Sequence, residues 1–282
     1  MSDFLLRDDA PLSSMQWEEL DRVVGDMVKR QVVCRRFLGL YGPLGSGVQV
    51  IPTDRFPELE RGQVDMVGQH DDPVSLSGRV YQKIPLLHKD FVLYWRDLES
   101  SNLEGVATDW SMAEAAASFL ARLEDELVIH GHPAIHIDGL TSVTGRQIFT
   151  TEGWVAPDSG YQDVVRAVTL LTTAGFFPPF TVLVGTSGYA AWHRLFGNSG
   201  VLEIDQIRKL VQGGVFVTPL LADSTMLVMA AGSENVDIAV GVDATVAFLE
   251  SSSMNHLFRV LETLTVRIKR PSAICHVCPM LQ

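Results

Sequence analysis

The chain has 282 residues, 46% of them hydrophobic, with 34 acidic against 22 basic side chains and a formal net charge of -12. A chain of this length and apolarity buries a core of one or two domains and is not an intrinsically disordered polymer. The acidic balance argues against a protein that coats nucleic acid, which needs a basic surface to displace counterions, and three cysteines do not make a disulfide scaffold.

The opening Met1 to Arg7 has no basic stretch followed by an apolar run, so no signal peptide is read there. No segment approaches the roughly 18 apolar residues of a membrane span. The expected compartment is the cytoplasm, with reduced thiols.

Trp17, Leu20, Val24 and Val28 recur at helical spacing behind a Ser13–Gln16 capping box. They predict an amphipathic helix to about Val33, stopped by the glycine-rich stretch Tyr41 to Gly47. Residues 48–80 hold too few contiguous apolar side chains for a core of their own. They read as a long polar hairpin arm that packs on something else. Short strand-like runs follow around Ile84–Leu87 and Phe91–Trp95. A second capping box, Ser111 with Glu114, opens an Ala-rich helix carrying Ala113, Ala116, Ala117, Leu120, Leu123 and Leu127.

From about Gly139 helices and strands alternate. Gly160–Ala174 is predicted helical and Phe180–Gly185 a buried strand. Tyr189–Phe196 and Glu203–Gln212 read as short helices around a turn at Gly197–Gly200. Val215–Pro219, Met226–Ala230 and Ile238–Gly241 read as strands. In the last section Phe258, Val260, Leu264, Val266 and Ile268 share one parity, interrupted by Glu262, with polar residues on the other. That predicts a long, half-exposed antiparallel strand. The class is α+β, with a central α/β module between strand-rich flanks.

Three clusters invite chemistry. His130, His132, His136 and Asp138 offer metal-ligand types, but the spacing is loose and Pro133 interrupts it, so a surface turn is the plainer reading. Cys275 and Cys278 form one Cys-x-x-Cys pair, half a zinc site at best, with only Cys34 besides. Two ordinary thiols on a tail are the plainer reading. Glu124-Asp125-Glu126 is read as a solvated or interface-facing patch, because adjacent helical residues point apart. Gly185-Thr186-Ser187-Gly188 lacks the spacing of a nucleophile elbow, and no phosphate-binding glycine loop occurs. The residues alone therefore favour an assembly protein over an enzyme, because the arm must bury its apolar side chains on a partner chain.

Five groups of residues carry a resemblance: Ala10-Pro11-Leu12-Ser13 with Trp17 to Asp21, Arg35-Arg36-Phe37 before Tyr41 to Gly45, Glu124 to Leu127 with Gly131, Ser253 to Glu262, and Arg267 to Pro271. In this order they resemble the encapsulin shell proteins, most closely the myxobacterial, iron-storing branch. The resemblance covers nearly the whole chain. It implies the tailed-phage capsid fold of the Hong Kong 97 type, with a P-domain, an E-loop and an A-domain. The expected division is 1–47 for the N-terminal helix and start of the P-domain, 48–80 for the E-loop, 81–135 for the P-domain with its spine helix, 136–225 for the A-domain, and 226–282 for the return to the P-domain.

The resemblance also implies a non-enzymatic shell of sixty copies or a small multiple, enclosing cargo that carries a C-terminal targeting peptide. A ferritin-like ferroxidase or a dye-decolourising peroxidase is the implied cargo, and any iron would be held by it. No cofactor serves catalysis by the shell, and neither nucleic acid nor membrane is an expected partner. The targeting peptide is expected in a groove formed by Trp17, Leu20, Val24, Val28 and Arg35 on one side and Val242, Val246 and Phe248 on the other, unless the apolar members are simply core. Gly197, Asn198, Ser199, Gly200 and Val201 are expected at a symmetry-axis pore. Trp95 is a candidate for flavin stacking, as in some members. A phage or prophage capsid protein of the same fold is the alternative, and a metal-dependent hydrolase using the histidine cluster is the third reading.

Overall fold

The computed structural model describes residues 4–57, 62–68, 71–104 and 107–280. Helix α1 (Ser14–Gln31) starts on the expected capping box. The Gln16 backbone N–H donates to Ser13 Oγ, and the Gln16 side chain accepts from the Ser13 backbone N–H at 2.9 Å. The helix ends two residues short of Val33, where Val32 turns extended. Strand β1 (Gly39–Tyr41) follows. The arm is an antiparallel ribbon of β2 (Val50–Arg55) and β3 (Gly78–Lys83), paired from Val50↔Lys83 to Arg55↔Gly78.

Strand β4 (Leu86–Leu93) stops before Trp95, which instead opens helix α2 (Trp95–Glu104). Helix α3 (Ser111–His130) forms as expected but without the Ser111–Glu114 box. Trp110 is its N-cap residue, and Asp109 Oδ1 accepts the Ser111 N–H at 2.9 Å. That bond holds the Asp109 carboxyl below the usual range.

A small ladder, β5 (Gly131–His132) with β6 (Ile137–Asp138), leads to β7 (Gln147–Thr151) and helix α4 (Ser159–Thr173). Then come β8 (Phe180–Gly185), α5 (Thr186–Ala191) and α6 (Glu203–Val211). The short helix expected over Tyr189–Phe196 thus lies earlier and ends at Ala191. Strands β9 (Gln212–Thr218), β10 (Met226–Met229), β11 (Val236–Ser252), β12 (Asn255–Ile268) and β13 (Ile274–Pro279) complete the chain.

Two sheets organise these elements. The first runs β1-β11-β12-β4 and the second β7-β13-β10-β8-β9. Strands β10 and β13 therefore belong to the second sheet, whereas β11 and β12 belong to the first. The first sheet packs one face against α1 and α3, and its core includes Leu20, Leu120 and Phe258. Ala113, Ala116, Ala117 and Ala121 let α3 approach closely. The second sheet is covered by α4 and α6 over Phe180, Trp192, Ile204 and Ile207. A minor cluster of Ile51, Ile84 and Ala239 fixes the base of the arm.

Strand β12 is not half-exposed. Thr265 and Arg267, on its expected polar parity, are buried along with the apolar residues. Arg267 reaches Asp237 on β11 through Nε at 2.6 Å and lies over the Tyr41 ring of β1 at 3.9 Å. A strand with neighbours on both edges and packing on both faces has no solvent face, so its polar residues are paired instead.

Gly160, in the first turn of α4, has a conformational reason beyond propensity. A Cβ added there would run into the indole of Trp192, which is fully buried and packs on Trp154 at 5.1 Å. Gly160→Ala gains about 1 kcal/mol of helix propensity. It loses about 1–3 kcal/mol to overpacking, because the indole has nowhere to move. The net expectation is a lower denaturation midpoint, and a raised midpoint would refute this packing account.

Candidate functional site

The expected groove residues Trp17, Leu20, Val24 and Val28 form the buried stripe of α1. Their partners across the interface are the other expected wall. Val246 and Phe248 of β11 are buried in the same core, and Phe258 meets Trp17 edge-on at 5.9 Å and Phe248 at 5.3 Å. Arg7 covers the outer side of the Trp17 ring at 4.5 Å, tied to Asp21 by two hydrogen bonds of 2.7 and 2.8 Å. Leu5 O accepts the Phe248 N–H at 2.9 Å, which closes the β11 edge. These six side chains therefore join helix to sheet, and no slot opens between them. The physical reason is that an amphipathic helix on a sheet spends its apolar face on that sheet. Of the eight, Arg35 and Val242 keep part of their surface open.

Arg35 lies in the single turn between α1 and β1, and its guanidinium holds three carboxylates from three elements. Nε donates to Glu124 Oε1 on α3 at 2.7 Å, one Nη to Asp243 Oδ1 on β11 at 2.7 Å, and the other to Glu262 Oε2 on β12 at 2.9 Å. Glu124 and Glu262 are fully buried, and Arg35 has a side-chain exposure of 16%. Burial pushes both glutamate carboxyls up, Glu262 well above its ordinary value with Glu124 adding to the rise. Burial also works against the Asp243 carboxylate, but its bond to Arg35 overrides that and holds it low.

Glu124 and Asp125 are therefore not solvated, whereas Glu126 is exposed. The two Asp125 oxygens accept the Val33 and Cys34 backbone N–H groups at 2.9 and 2.8 Å, so Asp125 caps the turn that ends α1. Sequence reading missed Asp243 and Glu262 as partners of Arg35. The available signal was Glu262, an acid on the core-facing parity of an apolar strand.

The other expected sites are dispersed. Asn198, Ser199 and Gly200 form the exposed tip of a turn clamped by a Leu195↔Leu202 bridge. Gly197 N–H donates to Asp158 Oδ1 at 3.0 Å and Phe196 N–H to Val201 O at 2.8 Å. Arg194 fastens the stem to buried Glu203 at 2.9 Å and to three consecutive carbonyls from Trp154 to Ala156. Trp95 is 39% exposed, and its backbone N–H donates to Asn255 Oδ1 at 3.4 Å.

His130 is engaged by Thr141 Oγ1 at 3.1 Å and Leu220 O at 2.9 Å, whereas His132, His136 and Asp138 are exposed. Among the described residues no three His, Cys, Asp or Glu side chains are grouped to hold a metal ion. Cys275 and Cys278 sit in β13, between two sheet neighbours, and not on a tail. Three residues apart on a strand, they face opposite sides. Burial pushes the Cys275 thiol up to about 12 and Cys34 well above its ordinary value.

The surface carries exposed apolar groups. Val64 and Met66 in the arm are 104% and 97% exposed, with Val67 and Val74 close behind. Phe119 and Leu123 lie exposed on one stripe of α3. At the base of the arm an open cavity of about 750 Å³ is lined by Phe4, Val48, Val50, Leu86, Val242 and Leu261. Such surfaces are expected of a subunit that is completed by its neighbours.

Comparison with known proteins agrees. The family described as "Encapsulating protein for peroxidase" matches residues 1–265. The type 1 encapsulin shell protein EncA of Myxococcus xanthus is 40% identical over 98% of this chain and 96% of its own length. The chain belongs to the encapsulin shell family. A diheme-cytochrome-encapsulin shell fusion protein of Kuenenia stuttgartiensis is 37% identical over 94% of this chain and 73% of the fusion. A ferritin-like-encapsulin shell fusion protein of Pyrococcus furiosus is 26% identical over 79% of this chain and 60% of the fusion.

The virus-like particle of Pyrococcus furiosus superposes with a TM-score of 0.74 at 22% identity, covering 93% of this chain and 98% of that one. The capsid of Myoviridae phage XM1 gives 0.62 at 13% identity, covering 86% and 90%. The encapsulin subunit thus has the Hong Kong 97-type capsid fold. It is a structural subunit of a capsid-like cage. No described helix is long and apolar enough to cross a membrane.

Proposed function

We propose that this encapsulin shell protein closes into an icosahedral cage of sixty copies or a small multiple in the bacterial cytoplasm. The cage holds an enzyme delivered by a C-terminal targeting peptide. The observation that carries assembly is the E-loop, whose Val64 and Met66 are fully exposed in the single chain and need a neighbour. A ferritin-like ferroxidase for iron storage and protection against oxidative stress is the cargo this reading favours. The ferritin-like fusion among its relatives and the resemblance to the iron-storing branch support it. The family description keeps a peroxidase as the other cargo class.

With Trp17, Leu20, Val24 and Val28 used by the core, the peptide docks on the open seam of α1 and β11, beside Arg35, Val242 and Asp243. Trp95 offers an open indole face on which a flavin would stack. The gaps around Gly197, Asn198, Ser199, Gly200 and Val201 line the pore in this reading.

The test is expression of the shell alone and with a fluorescent protein ending in the native cargo's terminal peptide. Uniform closed particles that retain the tagged protein, and lose it on Val242→Asp while staying closed, are the expected result. Closed particles that never retain the tagged protein would overturn the docking reading, and a monodisperse monomer would overturn assembly. A phage capsid shares the fold but only 13% of the sequence, against 40% for the Myxococcus shell.

A further inference from the structure

The Arg35 cluster has more acid than base. One guanidinium faces three carboxyl groups, so full ionisation would leave a local charge of -2 in a site where two of the acids are fully buried. Another ionic cluster of this sheet is balanced the opposite way, with Arg267 and Lys269 sharing Asp237. In the Arg35 cluster each glutamate gives one oxygen to Arg35. The second oxygens, Glu124 Oε2 and Glu262 Oε1, are buried and have no donor among the described residues. Two buried carboxyls that hold the same guanidinium and lack a donor for their remaining oxygens satisfy each other only if one of them is an acid. The Glu124 charge adds to the rise that burial imposes on the Glu262 carboxyl.

We propose that Glu124 and Glu262 share a proton around Arg35, and that this proton latches the end of α1 to the first sheet. The site joins four elements where the chain turns or shifts register. Arg35 lies in the turn after α1, next to the Val33 and Cys34 amides that Asp125 holds. Asp243 lies where the β11–β12 register shifts, between Val242 and Thr245.

The surrounding charges do not replace the proton. Asp125 on α3 adds negative charge to Glu124, and Lys29 of α1 and the Ala244 N–H act on Asp243. Arg36 faces Asp125 and sends its own guanidinium hydrogen bonds to the Val32 and Arg30 carbonyls. Cys34 is a buried thiol beside Asp125, with its own titration pushed up by burial. Strand β4 sets Leu87 opposite Glu262, and its His88 faces Asp90 at 3.7 Å.

The sign follows from where the proton is bound. Glu262 is raised in the folded state, so the latched form holds a proton that the opened form releases above the ordinary carboxylate range. Stability from the latch is fully present below that range. It is lost progressively as pH rises toward the raised value. Alkaline conditions open the latch, and mild acid closes it.

The experiment is hydrogen exchange on purified shells between pH 6 and 9, corrected for intrinsic rates and read at the Val33 and Cys34 amides. In the wild type the opening constant is expected to rise with pH, by up to tenfold per pH unit, the limiting slope for release of one proton. In Glu262→Gln, which keeps a donor for Glu124 and has nothing to titrate, the profile is expected to be flat. Parallel slopes in the two proteins would overturn the proposal. If the variant does not fold, infrared spectra of the wild type decide. A protonated-carboxyl C=O band that disappears over the same pH interval as amide protection supports the latch. Its absence at neutral pH, or loss over a different interval, overturns it.

Discussion

Phe258→Ala is expected to destabilise the subunit by about 3–5 kcal/mol, the usual cost of deleting a buried aromatic ring. Phe258 is fully buried and joins three elements: Trp17 of α1 at 5.9 Å, Phe91 of β4 at 5.5 Å and Phe248 of β11 at 5.3 Å. The cavity would open where α1 docks, so the variant is expected to lose both denaturation midpoint and closed particles. Phe258→Leu keeps most of the volume and should cost less than half as much. Chemical denaturation of the three proteins, with electron microscopy of each, reads both effects. Equal losses for Leu and Ala would show that ring geometry, and not volume, dominates.

Arg35→Leu is the second large expectation, about 3–5 kcal/mol at neutral pH, because it strands buried acids that had a cation. Its pH dependence runs in a defined direction. Without Arg35 both glutamates must become neutral to stay buried, so their folded-state values rise further above those of the unfolded chain. The penalty should shrink in mild acid and grow as pH rises. Thermal unfolding at pH 5 and pH 8 checks this, and a penalty larger at pH 5 would exclude the account. The comparison with Glu262→Gln separates the two roles of the cluster. Removing the cation hurts at every pH above the carboxylate range, whereas removing the titrating acid flattens the response.

Much of the fold was legible because its signals are local. The Ser13–Gln16 box and the spacing of Trp17, Leu20, Val24 and Val28 fixed α1 within two residues. The arm was recognisable from what residues 48–80 lack, and its paired strands lie at its two ends. The small residues of α3 marked a close-packed helix, although Asp109 and not Ser111 supplies its first hydrogen-bond partner. The long β11–β12 hairpin was not legible as a unit. Its turn places Ser253 and Met254 at positive φ, which usually calls for Asn-Gly or Gly-Gly. Its register also shifts near Gly241 and Asp243, which breaks the period-two pattern.

The sequence by itself determined the principal elements, α1, α3, α4, α6 and β8, the buried stripe of α1, and that the arm needs a neighbour. These follow from periodicity and from the cost of exposing apolar area. Tertiary structure alone decided what the apolar faces and acids are for. Trp17 and Phe248 could have lined a groove or filled a core, and only the approach of α1 to the sheet shows that they fill it. Glu124 and Glu262 lie far apart in the chain, each an acid among apolar neighbours. Only the packing of α3 against β12 brings both, fully buried, to the guanidinium of Arg35.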